Sequence, residues 1–206
     1  MMLLHGEQYL EIKGAIPTSA TLRSESRIRE VLDKGKAAAV TSVTRTFDDA
    51  TGELVFENQS TVFIRGAGGF GGKKTGIDRG AATALNKVPS RAPDAVVEEK
   101  TLPQQAAIYR LSGDYNPLHI DPNFAKVGGF DAPILHGLCF FGISGKHIFT
   151  KYGAVKDIKV RFVGSMFPGE TVVTEMWQES PKRVVFQSKC KERGTVVLGA
   201  AAVTLA

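Results

Sequence analysis

The segment SGDYNPLHIDP, residues 112–122, places Asp114, Asn116, His119 and Asp121 within eight positions. A carboxylate and an imidazole so close in the chain suit proton exchange at neutral pH, where the imidazole changes charge most readily. Converging on one water, Asp114 and His119 could add it across a double bond. Asn116 could hold the carboxylate by a hydrogen bond, and Pro117 could stiffen the turn so that His119 faces the same side. The plainer reading is that Asp114 and Asp121 cap turns or helices and that His119 is a surface or hydrogen-bonded histidine. On the residues alone both stay open.

Hydration of an enoyl thioester needs a second device, because water attacks C3 only when negative charge can collect on the thioester oxygen. The run Pro133-Ile134-Leu135-His136-Gly137 leads into an apolar helical stretch, so amides near Gly137 would sit at a helix N-terminus with the dipole behind them. Glycine there permits close approach of a thioester; alternatively it only lets the helix pack. One such donor is typically worth about 2.7–4 kcal/mol in the transition state, comparable with an acid/base group.

Elements must position these groups, and the chain reads as one pattern written twice. Strands are expected over 8–16, 21–31, 37–47 and 54–64, and again over 155–163, 171–179, 184–191 and 195–205, with turn residues between them. Gly14-Ala15-Ile16-Pro17 echoes Ser165-Met166-Phe167-Pro168 at an offset of 150 to 151 residues, which suggests internal duplication. The expected division is a first repeat at 1–65, a connecting loop at 66–95 and a catalytic repeat at 96–206. The Gly-, Ala- and Lys-rich connection reads as the most mobile segment. A short strand over 96–100 and helices over 103–111 and 123–127 follow it. The stretch 136–152, HGLCFFGISGKHIFTKY, is apolar on nearly all sides and so reads as a buried helix. A curved antiparallel sheet wrapped around one helix is the hot-dog arrangement, and the expected class is α+β, a double hot-dog. The first repeat has no helix before its strand, so its central helix reads as missing, with upstream sequence implied.

Composition narrows the partners. The chain has 206 residues, 43% hydrophobic and 23% charged, as in ordinary globular proteins. The net charge of +5 is scattered without a basic run, which argues against nucleic acid. No segment reaches the roughly 18 apolar residues of a membrane span. Cys139 and Cys190 lie far apart and imply neither disulfide framework nor zinc site; Cys139 in LCFFGI reads as a small buried hydrophobe. The start has no signal-peptide pattern, and the end, Thr204-Leu205-Ala206, is not a peroxisomal Ser-Lys-Leu-type address.

The stretch YRLSGDYNPLHIDPNFA resembles the hydratase 2 signature of the MaoC-like family: Tyr109, Gly113, Asp114, Asn116, Pro117, His119 and Ala125 fall at its positions. HGEQYLE, GAGGFGGK, ILHGLC and PGETVVTEMW extend the likeness over essentially the whole chain. The resemblance implies a double hot-dog that hydrates trans-2-enoyl-CoA to (3R)-hydroxyacyl-CoA in fatty-acid β-oxidation. It makes Asp114 and His119 the catalytic pair, Asn116 their support and Gly137 the oxyanion donor. It implies neither metal nor redox cofactor, coenzyme A entering as the substrate's thioester, and it suggests a peroxisomal setting. Glu7, Tyr109, Gly113 and His136 are further substrate-binding candidates, with Glu7 equally readable as a surface carboxylate. Lys159 and Arg161 could meet coenzyme A phosphates or line a solvated strand face. A homodimer is compatible with the resemblance.

Other patterns compete. Gly66-x-Gly68-x-x-Gly71 has the form of a dinucleotide fingerprint but lacks a following helix and a βαβ unit. His5, His136 and His147 are spaced too widely for a metal-ligand pattern, and Trp177 reads as a half-buried strand residue. Two alternatives to hydration remain: a hot-dog thioesterase cleaving the same thioester, and an acyl-CoA-binding protein without turnover because the first repeat is truncated.

Overall fold

The computed structural model describes residues 3–206. Four strands come first: β1 (Leu3–Ile12), β2 (Leu22–Asp33), β3 (Ala37–Asp48) and β4 (Leu54–Arg65). After the connection come β5 (Ala95–Lys100), α1 (Gln105–Tyr109), α2 (Pro122–Val127) and α3 (Gly137–Tyr152). The chain closes with β6 (Val155–Phe162), β7 (Thr171–Ser180), β8 (Arg183–Cys190) and β9 (Thr195–Leu205). All nine strands form one antiparallel sheet in the order β2-β3-β4-β1-β6-β9-β8-β7-β5. Read outward from the central β1–β6 pair, β4-β3-β2 on one side answers β9-β8-β7 on the other. The two halves thus meet backbone to backbone, Glu7 opposite Arg161 and Glu11 opposite Asp157.

Alternation decides which side of the sheet is apolar. Val172, Met176, Val184, Phe186, Leu198, Ala201 and Val203 are inaccessible to solvent and face α3, which contributes Phe140 and Ile148. Two polar clips fix the helix on the sheet. Ser144 Oγ donates to the Phe140 carbonyl and meets Ser188 Oγ at 2.8 Å. His147 reaches Thr174 Oγ1 through Nδ1 at 2.9 Å and Glu99 through Nε2 at 3.1 Å. Such buried polar groups must be paired, so they set the helix's rotation as well as its contact.

Three expectations change. The helix is not covered all round: Phe149 is 60% exposed and Gly142 is exposed too, because among the described residues no element packs over that side. Trp177 is fully buried, its indole N–H donating to the Arg91 carbonyl at 2.9 Å. The connection is tied down at several points. The Asp33 carboxylate accepts from the amides of Gly35, Gly69 and Gly71, each at 2.8 Å. Arg79 pairs with Glu30 and donates Nε to Gln59 Oε1 at 2.9 Å. Lys159 Nζ donates to the Ala84 carbonyl at 2.7 Å, and Asn86 Nδ2 to the Ala200 carbonyl at 3.1 Å. The glycine-rich run is therefore an anion-binding concavity already filled by the chain's own acid, and these hydrogen bonds hold Asp33 below the usual carboxylate range.

Candidate active site

Gly113 ends the helical turn after α1 with φ of +113°, a setting that L side chains rarely adopt, and so directs the chain into Asp114. Asn116 then caps the 3-10 turn Pro117–His119, its Oδ1 accepting from the Leu118 amide at 3.1 Å. Because that side chain is used as a cap, the Asp114 carboxylate is held by the main-chain N–H of Asn116, also at 3.1 Å, and not by its side chain as expected. Pro117 occupies the first helical position, where its missing N–H costs nothing. Arg110 braces the loop from outside, donating Nη1 to the Tyr115 carbonyl at 2.9 Å. The capping reading applies to Asp121, whose Oδ1 accepts from Asn123 N at 2.8 Å to begin α2.

His119 is buried, and its Nδ1 lies 2.7 Å from the Ile134 carbonyl. A carbonyl only accepts, so Nδ1 carries the proton and Nε2 presents a lone pair. Burial pushes the His119 imidazole below its ordinary 6.5, against the opposing pull of the Ile134 carbonyl and Asp114. At neutral pH it is therefore a base with its lone pair available. Asp114 and His119 line one cleft of about 490 Å³ together with His136 and Gly137.

The cleft is lined by both halves of the chain: Leu4, His5 and Val62 from the first, Phe140 of α3 and Phe162 of β6 from the second. The start of α3 lines the same cleft through Gly137 and Leu138. His136 stands at the cap position but makes no side-chain cap hydrogen bond, so the first amides are not taken by a capping side chain. A Cβ on Gly137 would meet the Phe162 ring at 3.0 and 3.1 Å, so the absence of a side chain serves tight packing and close approach at once.

The remaining candidates separate. His136 is 1% exposed and lines the cleft, its ring stacked on His119 with centroids 3.7 Å apart. Tyr109 packs on His136 at 4.7 Å, and Gly113 shapes the loop; neither lines the cleft. Glu7, Lys159 and Arg161 do not line it either. Glu7 accepts from Arg161 Nε at 2.8 Å, and Lys159 Nζ lies 3.8 Å from the same carboxylate. Lys159 is 2% exposed, so it is neither a phosphate contact nor part of a solvated face, and the Arg161 guanidinium is engaged across the seam.

Sequence reasoning missed His5, Phe162, Arg65 and the Ile134 carbonyl. A bulge in β1 between His5 and Glu7 breaks the alternation and turns His5 into the cleft, where its ring meets Phe162 at 4.6 Å. The signal was Gly6, where a Cβ would come within 2.5 Å of the Phe63 ring. The Ile134 carbonyl left no signal, since any residue supplies one. Wide spacing did not keep histidines apart: Asp114, His119 and His136 place ligating atoms within 4.8 Å of one another. The two imidazoles stack with their planes 27° apart, and one nitrogen of each is already committed, His119 Nδ1 to the Ile134 carbonyl and His136 Nε2 to the Asp114 carbonyl. Cys139 is buried with its thiol pushed up to about 11, as fits an inert core residue.

Residues 84–201 match the MaoC like domain family, and residues 1–66 match the MFE-2 hydratase 2 N-terminal domain. The chain is 62% identical over its whole length to the peroxisomal hydratase-dehydrogenase-epimerase of Neurospora crassa, of which it spans 23%. It is 47% identical over 96% of its length to the peroxisomal enoyl-CoA hydratase 2 of Arabidopsis thaliana, covering 66% of that protein. It therefore spans only about a quarter of the first of these relatives. The crystal structure of a MaoC-like dehydratase from Phytophthora capsici superimposes with a TM-score of 0.91 at 41% identity, over 100% of this chain and 72% of that one. An acyl-ACP thioesterase from Bacteroides thetaiotaomicron shares the fold alone, at a TM-score of 0.60 and 12% identity over 98% of this chain and 75% of that one. Sheet, cleft and relatives agree: the chain belongs to the MaoC-like hot-dog family, with the hydratase 2 N-terminal domain beside its MaoC-like domain.

Proposed function

We propose that this chain hydrates trans-2-enoyl-CoA to (3R)-3-hydroxyacyl-CoA in peroxisomal fatty-acid β-oxidation. The observation that carries the reading is His119, its Nδ1 held by the Ile134 carbonyl so that Nε2 is left free, lining with the Asp114 carboxylate a cleft that also contains the start of α3. The acyl chain lies against Leu4, Val62 and Phe162, and the thioester oxygen points at the Gly137 amide. Water bound between Asp114 and His119 attacks C3. The pair takes a proton from that water and returns one to C2, so hydroxyl and hydrogen add across the double bond with nothing oxidised or reduced. Charge that collects on the thioester oxygen is met by the α3 amides and dipole. The R configuration and the peroxisomal setting rest on the likeness to hydratase 2 relatives, several of which carry "peroxisomal" in their names.

The test mixes the purified chain with crotonyl-CoA and a longer enoyl-CoA, follows loss of the conjugated thioester absorbance, and determines the configuration of the product. A thiol-trapping reagent runs alongside. Hydration with an R product and no free thiol is the expected result. Release of coenzyme A would point to a thioesterase, and binding without turnover to a non-catalytic acyl-CoA protein.

A further inference from the structure

His136 occupies a position that hydration chemistry alone does not explain. It is the residue just before α3, 1% exposed, and its ring is clamped between His119 at 3.7 Å and Tyr109 at 4.7 Å. Its Nε2 lies 3.3 Å from the main-chain carbonyl of Asp114, which only accepts, so Nε2 carries the proton. Among the described residues its buried Nδ1 has no hydrogen-bond partner, although a histidine at a helix cap could have turned that lone pair to the first amides of α3. An unpaired buried acceptor is a cost that folding alone would select against. The ring instead keeps the one orientation that both stacks on His119 and donates to Asp114.

We infer that His136 is a positioning residue for the hydration proposed above: it couples the loop bearing Asp114 and His119 to the start of α3, so that the acid/base pair and the oxyanion donors keep one spacing. Three geometric facts converge on this. The Asp114 carboxylate is exposed and, among the described residues, receives one hydrogen bond, from Asn116 N, so its main chain must be held from elsewhere. The Nε2 bond supplies that hold. His119 is fixed through Nδ1 by the Ile134 carbonyl two residues before His136, so both catalytic groups are referred to the same short stretch of chain, Ile134–His136. Misplacement by about 1 Å can cost around a hundredfold in rate, which gives one hydrogen bond and one stacked ring a large effect on turnover.

The experiment compares wild type with His136→Phe, which keeps a stacked ring but loses the donor, and His136→Gln, whose amide can again donate toward the Asp114 carbonyl. We expect the Phe variant to lose at least tenfold in kcat with KM for crotonyl-CoA within about threefold, and the Gln variant to recover part of that loss. Combining His136→Phe with Asp114→Asn should cost little beyond Asp114→Asn alone, because the effect passes through Asp114. Amide hydrogen exchange over residues 113–119 should quicken in the Phe variant and be restored in the Gln variant. Should the Phe variant fail to fold, His136→Leu takes its place in the same comparison. Unchanged kcat with unchanged exchange, or losses that multiply in the double variant, would overturn the inference. Wild-type turnover keeps the two readings apart: a wild type without hydration sinks the proposed function, while the exchange comparison still decides whether His136 holds the loop.

Discussion

His119 shows how a single hydrogen bond decides chemistry. The Ile134 carbonyl accepts a hydrogen bond from Nδ1–H, leaving the Nε2 lone pair free, and burial favours the neutral ring by pushing the imidazole below its ordinary 6.5. His119→Ala should reduce kcat at least a hundredfold, the usual scale of an acid/base group. The sign of the pH effect follows from the lowered pKa. The basic form predominates above 6.5 and gives way only at lower pH, so the acid limb of kcat/KM should be centred below 6.5. A limb centred above that value would show that His119 is not the group being titrated. The candidates at this site were readable in the sequence, Asp114 and His119 as a close carboxylate and imidazole and Gly137 as the start of an apolar helix, with capping and packing readings standing beside them. Their supports were not. The Asn116 side chain was expected to hold the carboxylate and instead caps a turn, because an Asn preceding Pro117 competes for the nearest free amide. The pairing of Lys159 and Arg161 with Glu7 depends on strand register across the seam, which no local pattern encodes.

The helix and the loops follow the same division. The existence of α3 and its register near Gly137 were readable from apolar residues and the preceding proline, whereas its exposed side, with Phe149, was not, because coverage depends on what packs above it. Gly137→Ala would bring a Cβ to about 3.0 Å from the Phe162 ring. The ring must then give way into the cleft, so the variant should lose kcat by about tenfold or more, the order expected when a transition-state donor is displaced. Pairing it with Phe162→Leu should recover part of the activity by making room, and failure to recover any would locate the damage in the amides themselves. The glycine-rich connection gives a second prediction. Its composition suggests mobility, yet Asp33 collects two of its amides, those of Gly69 and Gly71. Asp33→Ala should therefore expose residues 66–76 to limited proteolysis that leaves the wild type intact. Equal cleavage of both would mean that the carboxylate does not hold the loop.

Across the whole molecule the four histidines share a direction. Burial lowers His5, His119, His136 and His147 below 6.5. As pH falls through 6.5 the unfolded chain takes up protons that the folded chain refuses, so stability is lost from that point downward, well before most carboxylates titrate. The thermal midpoint should drop between about pH 7.5 and about 5.5, and a flat profile would contradict the burial of these rings. The double-strand pattern was visible in sequence as an echo at 150 to 151 residues, while the order that places β1 beside β6 was not, since pairing of strands so distant in sequence leaves no local trace. That seam carries a final consequence. The side chains proposed to move protons and the amides proposed to meet the oxyanion come entirely from the second half, whereas Leu4, His5 and Val62 come from the first. In the proposed reading the acyl wall is shared, Leu4 and Val62 from the first half and Phe162 from the second: its first-half part can be resculpted, as by Val62→Phe, to favour short substrates while the acid limb stays where it was. A lineage of this architecture is free to change its diet without relearning its reaction.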